Sequence, residues 1–412
     1  MRRVAAVVQG ARAVGPTAEN ERYEFLDVLR GFALAGIVLA NMISLSLYLY
    51  LSEASKAALP TAAPDRVLDF LELVFVEGKF YTIFSVLFGI GFSILLTRAQ
   101  TKSQRFRSFF LRRMLLLFAI GAAHALFFWH NDILEAYAVC GVLLLPFVRA
   151  RGRTILAAAA LALLLPAIIN AAGVLTHDTF TGPRDRLFAH YGFTDETRID
   201  VWTAGRLTDL LLLNAGSWFG QVDYVITSGM IFRIFGCFLL GFWIGRAGIH
   251  RDLARHGSVV RRLAIAGLVV GLPLNVVFAR TFESESPWAV LLATAALLTL
   301  SAGYASAVAW LWIRIDNRIL ISTFAHVGRM ALTNYVAQSA IAVLIFRTVG
   351  LGLGGTMGPT LYLPVGLGIY LAQLVGSRLW LRHFQYGPLE WLWRTLTYGT
   401  RVPLRKVSPA VD

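Results

Sequence analysis

The residues best equipped for chemistry in this chain are a histidine and an aspartate eight positions apart, His124 and Asp132. An imidazole near neutral pH can act as a general base, and a nearby carboxylate can orient it or bind a cationic substrate. His124 follows Gly121-Ala122-Ala123, small residues that leave room for close helix approach or a cavity. Asp132 closes the turn His130-Asn131 and precedes an apolar run from Ile133, so it also fits a helix N-cap. A core histidine bonded to a neighbouring helix would explain His124 without catalysis.

A second set carries charge or amides. Asp27 and Arg30 are three apart, hence on one helix face. They make either a local ion pair or a basic site for a phosphate or coenzyme head group. Asn41 lies eleven residues beyond Arg30 on the same run. Lys79, in Glu77-Gly78-Lys79, either reaches back to the membrane interface or contacts substrate. Arg233 sits inside an apolar run and requires a partner or a water-filled cavity, with Asp223 and Asp132 as candidate partners. Arg329 opens a run in which Asn334 and Gln338, four apart, share one stripe. Two amides on a stripe imply interhelical hydrogen bonds or a polar cavity. Asn41 and Asn334 could donate to a developing oxyanion.

The elements that position these groups follow from composition. The 412 residues are 57% hydrophobic and 15% charged, with a mean hydropathy of +0.64. So large an apolar surplus needs lipid as its solvent. Crossing a hydrocarbon core takes roughly 20 helical residues. The continuous apolar runs predict an all-α polytopic transmembrane bundle of about ten spans, near 31–51, 79–97, 113–130, 133–149, 154–175, 225–246, 259–280, 288–313, 330–350 and 361–381. Runs such as Ile155 to Leu165 lack the alternation of a membrane barrel.

The net charge is +14, but the basic residues fall in short gaps between apolar runs, so a membrane topology signal accounts for them better than nucleic acid does. With the N-terminus inside, 28 of the 38 Lys and Arg fall on the cytoplasmic side, most densely from Arg98 to Arg113. That predicts N-in and C-in. Tyr48, Trp129, Trp202, Trp288 and Tyr362 fit an interfacial aromatic belt. The segment 176–224 reads as an exterior loop, its apolar stretch Leu210 to Leu213 too short to span. Pro388 to Arg394 reads as a short surface helix with Glu390 four before Arg394. Cys140 and Cys237 offer no disulfide or zinc spacing, and no metal is expected.

Several stretches resemble the YeiB-like bacterial membrane proteins, a family named for a C-terminal domain of unknown function. They are Leu26 to Ala33 with Gly36-Ile37 and Asn41, Gly78-Lys79-Phe80 with Leu87-Phe88-Gly89, and His124 with Trp129 and Asp132 through Tyr137. In the rear half they are Gly328 to Tyr335 and Gly387 to Arg394. The resemblance covers roughly 22–400 and implies a cytoplasmic segment 1–30, a front five-span half 31–175, an exterior loop 176–224, a rear five-span domain 225–400 and a tail 401–412. His130 falls where that pattern has no histidine, so it is left out of the expected site. The front half is similar to membrane acyltransferases of the heparan-glucosaminide acetyltransferase type. That likeness implies acyl transfer from cytoplasmic acyl-CoA to an envelope glycan or lipid at the exterior face of a bacterial inner membrane. It remains an analogy of fold. A transporter or flippase with a polar path, and a non-catalytic envelope scaffold, are the competing classes. Membrane lipids are expected partners, nucleic acid is not, and a homo-oligomer is compatible with all three.

Overall fold

The computed structural model describes residues 23–101, 106–173, 179–194, 197–282, 284, 286–315 and 318–406. The N-terminal arginines 2, 3, 12 and 22, together with Lys102, Arg105, Asp178, Asp195, Glu196 and the end of the tail, lie outside them. The chain folds as α1 (Glu24–Leu45), α2 (Glu53–Ala57), α3 (Ala62–Phe75), α4 (Lys79–Thr101), α5 (Phe106–Phe127), α6 (Leu134–Leu143), α7 (Gly152–Ala171), α8 (Gly182–Tyr191) and α9 (Arg198–Ala204). Then come α10 (Leu207–Thr227), α11 (Met230–Ala247), α12 (Gly257–Arg280), α13 (Pro287–Arg314), α14 (Arg318–Arg329), α15 (Ala331–Phe346), α16 (Pro359–His383) and α17 (Pro388–Tyr398). Among the described residues the strand-like pairing is a single bridge between Phe384 and Arg405.

The protein is an all-α multi-pass membrane bundle. Among the described residues eight helical segments are long and apolar enough to cross a bilayer, and α14–α15, bent by 81°, makes a ninth candidate. Large apolar side chains face outward, Leu115, Val269 and Val375 among them, while Asp132, Asn334 and Gln338 are buried. In water that arrangement would be inside out, and in lipid it satisfies both solvents.

Two sequence expectations change. The run 133–149 is not a span of ordinary length: α6 has ten residues and gives way to a 3-10 turn, Leu145–Arg149. Pro146 lacks the N–H that would continue the helix. The segment 176–224 is not a plain loop, since α8, α9 and the 21-residue α10 fold from it. Leu210 to Leu213 lies in the first turns of α10, which runs on through Asn214-Ala215-Gly216-Ser217 and walls the interior.

Glycine contacts set the helix crossings that matter below. A Cβ at Gly31 would fall on the carbonyl of Phe324, and one at Gly328 on the carbonyl of Asp27. α1 and α14 therefore touch backbone to backbone, which fixes Arg30 and Arg329 relative to each other. Gly89 and Gly241 do the same for α4 and α11 against Phe238 and Val86. A buried acidic face on α3 ties it to its neighbours. The Asp65 carboxylate accepts from the Thr360 N–H, and Tyr48 and Tyr362 donate to Asp69 and Glu72, each at 2.9 Å.

The aromatic belt is also corrected. Tyr48, Trp129, Trp202 and Tyr362 are buried, and of the five only Trp288 stands out, at 80% exposure. Each buried ring has a polar partner inside the bundle, such as Ser44 for Trp129 and Asn214 for Trp202.

Candidate functional site

A continuous cavity of about 1290 Å³ runs through the bundle. Helix α1 lines it with Asp27, Arg30, Leu34, Ile37, Asn41 and Ser44, and α4 with Tyr81, Phe84, Phe88, Gly91, Leu95 and Arg98. Both stripes step by three and four residues alternately, so each is one face of a helix. From Asp27 to Ser44 the path covers about 25 Å of helix axis, close to the depth of a hydrocarbon core.

One end is basic. Arg30, Arg98, Arg113, Arg329 and Arg394 all line it, each half-buried. Arg30 is 2.5 Å from Asp27, and Gly91 leaves space for its guanidinium, 3.9 Å from where a Cβ would stand. Arg113 lies in the fields of Arg30 and Arg394 and stacks on Trp393 at 3.5 Å, whose ring N–H donates to the Arg113 carbonyl. Helix α17 is thus a wall of this mouth rather than a surface anchor. Glu390 does not pair with Arg394. It accepts from the N–H groups of Leu332 and Thr333 and from the Thr333 hydroxyl, capping the N-terminus of α15. Burial pushes its carboxyl above the usual range despite those bonds.

The far end is a polar turn. Leu47, with a left-handed φ of 69°, folds the chain leaving α1 back so that the Tyr50 hydroxyl sits 3.2 Å from Ser44 Oγ. Asn131 Nδ2 donates to both, at 2.7 and 3.1 Å. Trp129 Nε1 donates to Ser44 at 3.1 Å. His130 Nε2 is 2.9 Å from the Tyr50 hydroxyl. Ser44, Tyr50, Trp129, His130 and Asn131 all line the cavity.

His124 and Asp132 stand in the wall beside this turn. His124 Nδ1 is 3.3 Å from Asp132 Oδ1. The same oxygen accepts from the Tyr335 hydroxyl at 2.7 Å and the Ile133 N–H at 2.8 Å. Neither ring nitrogen of His124 makes a hydrogen bond among the described residues. A Cβ at Gly121 would approach Asp132 Oδ2 to 2.9 Å, so that glycine makes room for the carboxylate. Asp132 is not a helix cap: α6 begins two residues on, at Leu134, with Ile133 at its N-cap and no side-chain cap bond. Of the trio, Tyr335 lines the cavity and the other two do not.

The remaining predicted residues divide. Asp27, Arg30, Asn41, Arg233 and Arg329 line the cavity. Arg233 partners neither Asp223 nor Asp132. It donates to the Ser228 carbonyl at 3.3 Å and lies in the field of Glu77, which also lines the space. Lys79 is fully buried, its ammonium bonded to the Leu73 carbonyl and 5.1 Å over the Phe278 ring, so it does not reach back to an interface. Asn334 donates to Ser377 at 2.9 Å and to the Val327 carbonyl. Gln338 donates to Gln373 at 2.8 Å. Those two amides bind α15 to α16 away from the cavity.

Over 409 residues the chain is 32% identical to the uncharacterised protein YxaH of Bacillus subtilis strain 168, covering 95% of this chain and 98% of that one. The chain belongs to the YeiB-like family. The family model described as protein of unknown function (DUF418) matches residues 244–400, which include α17 and the Gly328–Tyr335 run. An uncharacterised 39.9 kDa protein from the amylase 3′ region of Bacillus acidopullulyticus is also 32% identical, over 94% of this chain and 97% of its own length. Uncharacterised YeiB of Escherichia coli K12 is 29% identical over 95% and 99%. No solved structure matches.

Proposed function

We propose that this protein is an acyltransferase of the bacterial inner membrane, moving an acyl group from cytoplasmic acyl-CoA to a glycan or lipid acceptor on the exterior side. The observation that carries this reading is the single cavity joining five arginines at one end to the Tyr50–His130–Asn131 turn at the other. Drug-sized pockets occupy about 300–1,000 Å³. A cavity of about 1290 Å³ has room for a coenzyme donor and the reacting end of an acceptor. Guanidinium groups are suited to the donor's phosphates, and with N-in orientation they face the cytoplasm.

In the reaction the acceptor hydroxyl attacks the thioester carbonyl. The new C–O bond forms, the C–S bond breaks, and the proton passes through Tyr335 to Asp132, steadied by His124, while the thiolate leaves and is protonated from solvent. Asn41, one turn before the end of α1, offers an N–H to the developing oxyanion. Equilibrium binding of radiolabelled acetyl-CoA to purified protein, with label transfer in membranes, tests the proposal. Binding that weakens in Arg113→Gln, and transfer lost in Tyr335→Phe, are expected. Neither binding nor transfer, with His124→Ala silent, would end it.

The length of the cavity also suits a transport path, the second reading. Gradient-driven uptake by proteoliposomes without acyl-CoA binding would favour that reading.

A further inference from the structure

We propose that the far end of the cavity is an oxyanion subsite, built to take a phosphate or carboxylate group of the acceptor. Naming the ligand as the acceptor rests on the acyl-transfer reading, while the subsite itself stands on the following geometry.

The hydrogen bonds assign the proton on His130. Trp129 and Asn131 both donate to Ser44, so the Ser44 hydroxyl is left to donate to Tyr50. Asn131 donates to Tyr50 as well. The Tyr50 hydroxyl, accepting from both, gives its own proton to His130 Nε2 at 2.9 Å. In a neutral imidazole Nδ1 then carries the hydrogen. That Nδ1–H is buried and makes no hydrogen bond of normal geometry among the described residues; the nearby Asn214 amide is already engaged by Trp202 and the Leu126 carbonyl, and His130 itself, only 3% exposed, lines the cavity. A chain of donors running in one direction thus ends on an N–H that lacks a well-formed bond.

Positive charge surrounds this donor. Arg198 lines the cavity and lies over Tyr50 at 5.2 Å. Arg347, 2% exposed, stacks on Trp202 at 4.5 Å, and His130 lies parallel to the same indole at 5.5 Å. Neither Nη of Arg347 has a hydrogen-bond partner among the described residues. Among the described residues the carboxylates lining the cavity are Asp27, Glu77 and Glu390, which belong to the arginine mouth or the Arg233 side, and Arg347 stands behind that lining rather than in it. A buried guanidinium without a counter-ion is costly. One placed behind a free N–H donor makes a field that an incoming oxyanion relieves. A neutral sugar hydroxyl would gain the N–H bond but leave the charge unanswered.

The test uses full-length protein in phosphatidylcholine nanodiscs with saturating coenzyme A, which occupies the arginine mouth. Titration with inorganic phosphate, followed by calorimetry, is expected to show binding that Arg347→Gln and His130→Phe each weaken about tenfold. His130→Asn, which keeps an N–H donor, is expected to recover part of the loss. A second arm adds phosphatidic acid to the bilayer. Competition with phosphate identifies a lipid headgroup as a source, and its absence identifies a soluble one, both with the subsite intact. If coenzyme A fails to bind, the acyl-transfer reading falls. The subsite is still tested by phosphate alone, because the two variants act only at this end. No phosphate binding by the parent, or equal binding by parent and both variants with all three shown folded by thermal melting, overturns the proposal.

Discussion

The hydrogen bond from Tyr335 to Asp132 can be tested without knowing the reaction. It joins α15 to the turn before α6 across 203 residues of sequence, at 2.7 Å and fully buried. Neutral interhelical hydrogen bonds in membranes contribute about 0.6 kcal/mol, with a ceiling of about 1.7. Hydrogen bonds to charged groups run about 1.5–3 kcal/mol in soluble proteins. Asp132 also accepts from Ile133 and lies 3.3 Å from His124, so part of its demand survives loss of Tyr335. The expected coupling is therefore roughly 1.5 kcal/mol. The cycle compares the parent with Tyr335→Phe, Asp132→Asn and the double variant, each unfolded by SDS in mixed micelles. Asn334 and Ser377, a buried neutral pair at 2.9 Å, serve as the internal reference, with expected coupling of about 0.6 kcal/mol. If the Tyr335–Asp132 coupling is no larger than the reference, the carboxylate is not the organising acceptor of this wall. The relay through Tyr335 would then lose its basis.

Other outcomes follow from the same structure. Gly328→Ala places a methyl on the Asp27 carbonyl and should lower stability by about 1–3 kcal/mol. Gly376→Ala, with open space around it, should be neutral or stabilising by up to about 1 kcal/mol, so melting curves of the pair test whether α1 and α14 touch. Burial, and then the charges of Arg347 and Arg198, push His130 down to about 3. The unfolded chain then binds the extra proton first as pH falls below the ordinary histidine value near 6.5. Stability is complete above that value and declines toward about pH 3, by at most about 1.4 kcal/mol per pH unit. His130→Phe should flatten that decline in acid-unfolding curves. Glu390 has the opposite sign. Its carboxyl is raised, so the stability it contributes is complete below the ordinary carboxyl range and is lost as pH rises through the folded value. Glu390→Gln should remove that loss in a pH series of melting temperatures.

The sequence makes the helices legible because lipid leaves the chain few alternatives, and it marks the single charges that lipid penalises. Arg30, Arg233 and Arg329 are identifiable one at a time for that reason, and all reach the cavity. The cavity's main signal is also present in the sequence, as matching three-four stripes from Asp27 to Ser44 and from Tyr81 to Arg98. It is hidden because Leu34, Ile37, Phe84 and Phe88 within those stripes are the same residue types that face lipid elsewhere. In a bundle apolar on both sides, periodicity does not say which face is inward. The far end is illegible for a different reason. Ser44, Tyr50, Trp129 and Asn131 are ordinary residues at a helix terminus, and Trp202 reads as a belt residue until it is seen sealed inside. Their importance lies in contacts across 80 to 87 positions, which local patterns do not carry. Pro146, by contrast, is a local signal that overrides apolar length and ends α6 early. A family pattern without a histidine at position 130 gives no reason to look there. The poorly satisfied His130 donor and the unpaired Nη groups of Arg347 do, because a buried N–H without a well-formed bond and a buried guanidinium without a hydrogen-bond partner among the described residues are the same kind of debt, and one oxyanion would answer both.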